Sequence, residues 1–147
     1  MSINFSRFFL RGPKNSLRLA NGVHFAYQGP WVAATSDTVV DSWYVSEFMA
    51  AEYTVVIDVT PVRKEIIKAL VIAGPSTATV TVYGRTHLGE NLIDLTATVT
   101  DSKVTLLANP SSSPDGSTYD NSSFLLGGKI IFSAVYYHSI NELKRSV

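Results

Sequence analysis

The sequence predicts an all-β fold: a single antiparallel β-sandwich of six or seven strands, jelly-roll or immunoglobulin-like, with an extended N-terminal arm. Three observations predict it. From Thr38 onward, apolar residues recur with a period of two over one segment after another. Turn-forming Gly, Pro, Asn, Asp and Ser residues interrupt that period at close spacing. No segment of any length repeats its apolar residues at helical spacing. Short strands at even spacing specify a sandwich, with a small barrel as the alternative.

Each element follows in order. Residues 1–20 show no clean period, and Gly12-Pro13 breaks the chain. Asn21-Gly22 and Gly29-Pro30 are turn signals around Val23 to Tyr27, and Asn-Gly between β-formers marks a short hairpin. Val39, Trp43 and Val45 are expected on one face of the next strand. Glu47 to Ala51 is read as a helical turn or a bulge. Tyr53, Val55, Ile57 and Val59 then alternate with Thr54, Val56 and Asp58, and Pro61 closes that strand. In the next one Ile66, Leu70 and Ile72 alternate with Ile67, Ala69 and Val71, so both faces are apolar and the strand is expected to be central. Gly74-Pro75-Ser76 is a turn. Ala78, Val80 and Val82 oppose a threonine face ending in Tyr83, the pattern of a half-exposed strand. Gly84 to Glu90 is read as a loop. Strands follow over Leu95 to Val99 and Val104 to Ala108, joined by an Asp101-Ser102 turn. Asn109 to Ser123 is a long polar loop, and Gly127-Gly128 opens the last strand, Lys129 to Tyr137.

Composition bounds the class. The chain has 147 residues, 46% hydrophobic and 16% charged, enough for one domain with a core. The longest apolar runs, such as Ile66 to Ala73, contain a lysine and are far too short to span a membrane. Arg7 and Arg11 flank Phe8, Phe9 and Leu10, but no apolar core of signal-peptide length follows, so a soluble protein made in the cytosol is expected. There is no cysteine, which excludes disulfides, thiol nucleophiles and thiolate-held metal.

Charge divides the chain. Residues 1–36 contain Arg7, Arg11, Lys14 and Arg18 and no acid, while the remainder holds 8 basic and 12 acidic residues. A basic arm on a mildly acidic body is built to dock on something negative, either nucleic acid or the acidic body of a neighbouring copy. The arm also carries Phe5, Phe8, Phe9 and Leu10, more apolar surface than a free tail exposes. The expected organisation is therefore an arm over 1–36, a sandwich over 37–140 and a polar tail over 141–147.

The stretch Val45-Ser46-Glu47-Phe48-Met49-Ala50-Ala51-Glu52-Tyr53-Thr54-Val55 resembles the opening of a β-sandwich module of virion structural proteins in tailed phages, above all contractile-tailed phages of cyanobacteria. The similarity continues through Lys64 to Ile72, Thr77 to Gly84, Leu92 to Val99 and Lys103 to Ala108, and covers about Thr38 to Tyr137. The long loop Asn109–Ser123 and the first 36 residues depart from it. The resemblance implies a structural role in the neck, tail, baseplate, fibres or head decoration of a virion.

No constellation of catalytic residues stands out. His24, His87 and His138 show no zinc-binding spacing. His87, near Arg85 and Glu90, reads as a solvated loop histidine rather than a base. Glu47 and Glu52 are a conceivable carboxylate pair but read as surface or capping residues. Asp94 with Asp101, and Asp115 with Asp120, are oxygen donors short of a calcium shell. Trp43 and Tyr136 read as core, and Trp31, beside Pro30, as an interface anchor.

The expectation is a non-enzymatic virion structural protein, assembled in the host cytoplasm in multiple copies, without cofactor or metal, in the neck, tail or baseplate apparatus. Its partners would be copies of itself and other virion proteins; nucleic acid, membranes and small-molecule substrates are not expected. Phe5, Arg7, Phe8, Phe9, Leu10, Arg11, Lys14, Arg18 and Trp31 would form the docking arm. Alternatives are a capsid decoration protein and a carbohydrate-binding or receptor-binding fibre module. The last predicts Tyr44, Tyr83 and Tyr119 on one exposed patch.

Overall fold

The computed structural model describes residues 37–111 and 128–139 in full, together with the backbone of two earlier strands. Nine strands are described: β1 (Asn15–Arg18), β2 (Val23–Val32), β3 (Thr38–Tyr44), β4 (Phe48–Thr60), β5 (Arg63–Ala73), β6 (Ala78–Leu88), β7 (Ile93–Thr100), β8 (Lys103–Pro110) and β9 (Lys129–His138). They form two antiparallel sheets. The larger has the order β1-β2-β9-β4-β5-β6 and the smaller β3-β8-β7. From Thr38 onward the domain is a sandwich of seven strands, four in the large sheet and three in the small.

The period of two builds the core. On β4, Ala51, Tyr53, Val55 and Ile57 are buried while Thr54 and Asp58 between them point outward. The register sets them beside Ile67, Ala69 and Val71 of β5 and Ile130, Phe132, Ala134 and Tyr136 of β9. The small sheet supplies Val40, Trp43, Ile93, Leu95, Val104, Leu106 and Ala108 from the opposite side. Burying each of the larger side chains contributes about 1.5–3 kcal/mol.

Bulges set which residues turn inward. An extra residue, Val40, lies between the pairs Val39↔Leu107 and Asp41↔Leu106. Val39 is therefore 52% exposed, away from the buried Trp43 with which the sequence grouped it, and Val40 and Asp41 are both buried. A second bulge at Met49 opens β4, which decides between the two expectations for Glu47 to Ala51 in favour of the bulge. A third shifts the β5–β6 register at Tyr83. The chain does not loop after it: Gly84 to Leu88 continue β6 and pair with Lys64 to Lys68. These residues read as a loop because β6 is an outer strand of its sheet and needs no apolar alternation there.

Two-residue hairpins follow turn chemistry. Asp101 and Ser102 both adopt positive φ, 52° and 63°, between the paired residues Thr100 and Lys103, as the mirror-image turns that match strand twist require. The turn signal Asn21-Gly22 falls in the segment 19–22, outside the described residues, between the antiparallel strands β1 and β2. Gly29-Pro30 lies inside β2, where the register with β9 shifts between Gln28 and Trp31. A proline lacking an N–H is accommodated there.

Candidate functional site: a buried clamp and an open outer face

A polar cluster lies inside the core. Asp41 of β3 reaches from the small sheet into the core. Its Oδ2 accepts the hydroxyl protons of Tyr53 on β4, at 2.7 Å, and of Tyr136 on β9. Trp43 Nε1 donates to the Tyr53 hydroxyl at 2.8 Å, and the Ser42 amide donates to Asp41 Oδ1. The rings of Trp43, Phe48 and Tyr136 pack around this knot, Phe48 stacked on Tyr136 with centroids 4.7 Å apart and Trp43 edge-on to both. His138 closes it edge-on to Phe48. Burial, then the nearby Asp41 charge, pushes both tyrosine hydroxyls well above their ordinary range. Such an enclosed donor–acceptor set rigidifies a core and fixes one sheet against the other. The sequence marked Trp43 and Tyr136 as core, which their burial bears out. It gave no sign of Asp41, because a lone aspartate in a strand is usually solvated.

A second polar link ties the large sheet to the start of β7. Glu65 on β5 is buried, and its Oε2 accepts the Leu92 amide at 2.8 Å. Its Oε1 lies 3.6 Å from Arg85 of β6, whose other terminal nitrogen is 3.5 Å from Asp94 of β7. Burial raises the Glu65 carboxyl above its usual range, against the Leu92 amide and the charges of Arg85 and His87. His87 stands exposed on β6, not in a loop, with Nδ1 3.1 Å from the Gly89 carbonyl. Glu65, Arg85 and Asp94 thus form a structural strut at the crossover between sheets.

The outer face of the large sheet is chemically different. Ile66, Leu70 and Ile72 of β5 are 40%, 47% and 61% exposed, although the strand sits between β4 and β6 as its sequence predicted. Tyr83 and Leu88 of β6 and Tyr137 of β9 are likewise exposed. The registers place Tyr137, Ala50 and Ile72 in one row across the sheet, Val135, Glu52 and Leu70 in the next, and Ile131, Val56 and Ile66 near its far end. A shallow depression is lined by Val56, Ile66, Thr86 and Leu88 together with Lys64, Glu65 and His87. Charged residues share this face: Asp58 pairs with Lys64 at 3.5 Å, Glu52 Oε1 accepts the Tyr83 hydroxyl at 2.6 Å, Lys68 lies between Ile66 and Leu70 on β5, and Lys129 lies opposite Asp58. The bond from Tyr83 to Glu52, followed by desolvation, raises Tyr83 above its ordinary range. The row Ser133, Thr54 and Lys68 divides these apolar residues into two groups, one around Leu70 and Ile72 and one around Val56 and Ile66, and exposed large apolar groups of this kind mark a candidate interaction surface.

The remaining residues singled out by the sequence distribute as follows. Tyr44 is exposed on the small sheet, its ring 5.9 Å beneath the Lys103 ammonium. It shares no patch with Tyr83, because the two sheets present opposite outer surfaces. Glu47 is exposed in the turn before β4, Glu52 stands on the outer face of β4, and Asp101 is in the hairpin turn. Among the described residues, no three His, Cys, Asp or Glu cluster to hold a metal ion. Phe5, Arg7, Phe8, Phe9, Leu10, Arg11, Lys14, Tyr119, Asp115 and Asp120 lie outside the described residues. Arg18 occupies the β1 position opposite His24, and Trp31 the β2 position opposite Ile130. Within the segment read as an arm, strands β1 and β2 thus extend the large sheet beyond β9.

No family model matches the chain, and no curated protein matches it. Among solved structures it is similar to tailspike proteins of Acinetobacter phages. The tailspike of Acinetobacter baumannii phage AM24 gives a TM-score of 0.46 at 13% identity, over 82% of this chain and 27% of that one. That of phage vB_ApiP_P1 gives 0.42 at 10% identity, over 82% and 22%. That of Acinetobacter baumannii phage Fri1, a capsular polysaccharide depolymerase, gives 0.41 at 11% identity, over 82% and 19%. The chain therefore spans about a quarter or less of those proteins. Overlaps of this size assign no role, and the functional reading rests on the surfaces of this chain.

Proposed function

We propose that this chain is a non-enzymatic structural protein of a tailed-phage virion, present in multiple copies in the neck, tail or baseplate apparatus. The observation that carries the reading is the set of large apolar side chains, Ile66, Leu70, Ile72, Leu88 and Tyr137, left open to solvent among charged residues on the outer face of the six-stranded sheet. An isolated soluble domain gains nothing from such a face; an assembling one buries it. The module resemblance over Thr38 to Tyr137 supports the virion setting. The basic, aromatic residues Phe5, Arg7, Phe8, Phe9, Leu10, Arg11 and Lys14 add a second contact toward an acidic neighbour. Capsid decoration uses the same surfaces at another station.

Cryo-electron microscopy of the purified particle tests this. Density for the chain on the tail axis, neck or baseplate, with its outer sheet face covered, is the expected result. Density on the capsid lattice moves the protein to decoration. Absence from the particle overturns the reading. Tyr83, Tyr137 and the Glu52 carboxylate favour a second one, glycan binding, since rings beside a carboxylate form a sugar platform. A glycan-array signal lost in Tyr83→Ala would support it, and an array without signal would remove it.

A further inference from the structure

The core of the sandwich is closed on one flank and open on the other. On the open flank, β6 ends the large sheet and β7 ends the small one, and the two strands run close together. Their inward side chains Ala78, Val80, Ala97 and Val99 pack against the core yet remain only partly buried, and Val82 is 38% exposed. At the other side the inward residues Val40 and Trp43 of β3 are 2% and 3% exposed. Among the described residues nothing pairs with the free side of β6 or of β7.

Both of these outer strands carry the same pattern. β6 reads Thr77-Ala78-Thr79-Val80-Thr81-Val82, and β7 reads Thr96-Ala97-Thr98-Val99-Thr100. Threonines face outward and small apolar residues inward. No charged residue occurs from Ala73 to Gly84, or from Leu95 to Thr100. Unpaired sheet edges are normally protected by charges, prolines or short length. Here the strand of 11 residues has none of these over its first half, so two neighbouring edges are both left able to pair.

We propose that this flank is a two-fold interface between copies of this chain, in which β6 pairs antiparallel with β6 of the partner and continues the large sheet across the dimer. The sequence is self-complementary for that arrangement. Centring the ladder on Val80 sets Thr79 opposite Thr81 and Ala78 opposite Val82 of the other copy. Outward residues meet outward residues, and inward meet inward, as the strand period demands. Threonine pairs are favourable cross-strand neighbours. Arg85 falls opposite Pro75, beyond the ladder, so no like charges meet. The inward valines of the two copies then cover each other, which joins the two cores, and β7 of each copy approaches its counterpart beneath. A second copy satisfies both edges at once because it carries the same pair.

The proposal deepens the assembly reading by naming one contact and its symmetry, and it can fail separately: the particle can contain the chain with β6 unpaired. Light scattering coupled to size exclusion, over a concentration series of the full chain, is expected to show twice the monomer mass of 16.0 kDa. The double substitution Thr79→Lys/Thr81→Lys sets ammonium groups opposite each other twice and is expected to halve the mass. Thr79→Lys/Thr81→Glu sets opposite charges face to face in the same register and is expected to restore the dimer. Circular dichroism of both variants confirms that they fold, since both positions are exposed. A wild-type monomer at every concentration overturns the proposal. So does a Thr79→Lys/Thr81→Lys variant that keeps the wild-type mass, or a charge-paired variant that stays monomeric.

Discussion

Asp41 accepts hydroxyl protons from two tyrosines on two different strands of the opposing sheet, beside the aliphatic and aromatic side chains of the core. Removing the acceptor strips both buried hydroxyls of the carboxylate they donate to. Each buried unsatisfied group costs about 1–3 kcal/mol, so Asp41→Ala is expected to lower unfolding free energy by at least about 2 kcal/mol, read from the urea midpoint. The same cluster dictates behaviour in alkali. Tyr53 and Tyr136 are held above the ordinary tyrosine range in the fold, so the unfolded chain releases their protons first. Their contribution is complete below about pH 10, the unperturbed value, and is lost as pH rises beyond it. A tyrosinate absorbance titration should show two residues that ionise only together with loss of the β-sheet dichroism. The sequence disclosed Trp43 and Tyr136 as core because large aromatics in a strand of period two turn inward. It concealed Asp41 because a bulge at Val40, invisible in composition, rotates the aspartate to the inner face.

At the scale of elements, the period of two fixed most strands, and beyond the bulge at Val40 its main failure has a plain cause. Where a strand has a neighbour sheet on one face, as β4 and β9 have, alternation is plain. Where a strand lies exposed, as β6 does from Gly84 to Leu88, neither face needs apolar residues, and Arg85, Thr86 and His87 imitate a loop. Turn residues were more legible. Asp101 and Ser102 were marked as a turn, and they occupy left-handed backbone that favours glycine and asparagine. Asp101→Asn/Ser102→Gly retains the geometry with residues that tolerate it. It is expected to raise unfolding free energy by about 1 kcal/mol, as a shift of the thermal midpoint to higher temperature. Replacing Ser102 by valine, which resists positive φ, should shift it the other way.

At the scale of the molecule, two sheets share one core, and among the residues whose side chains are described the buried ones run from Val40 to His138. Strands β1 and β2 join only the margin beyond β9. A chain beginning at residue 37 is therefore expected to unfold in one cooperative transition, measured by calorimetry, while failing to enter particles. A truncated chain that incorporates normally would remove the arm from the mechanism. The candidate surfaces were partly legible. The apolar residues Ile66, Leu70 and Ile72 stood out as one face of a central strand, and β5 does lie between β4 and β6. That their face is the outer one was not legible, because a strand's place within its sheet and the covering of its faces are separate matters.

The aromatic knot around Asp41 also has an optical consequence. Trp43 is one of two tryptophans in the chain, and its indole N–H is bonded to a tyrosine of the opposite sheet. Excitation absorbed by Tyr53 and Tyr136, both within a few ångströms of the knot, passes to this indole while the two sheets stay together. If they part, the indole enters water, its emission moves to longer wavelength, and the transfer ends. With Trp31 replaced by phenylalanine, Trp43 is left as an internal lamp whose colour reports the contact between the layers, without an added label.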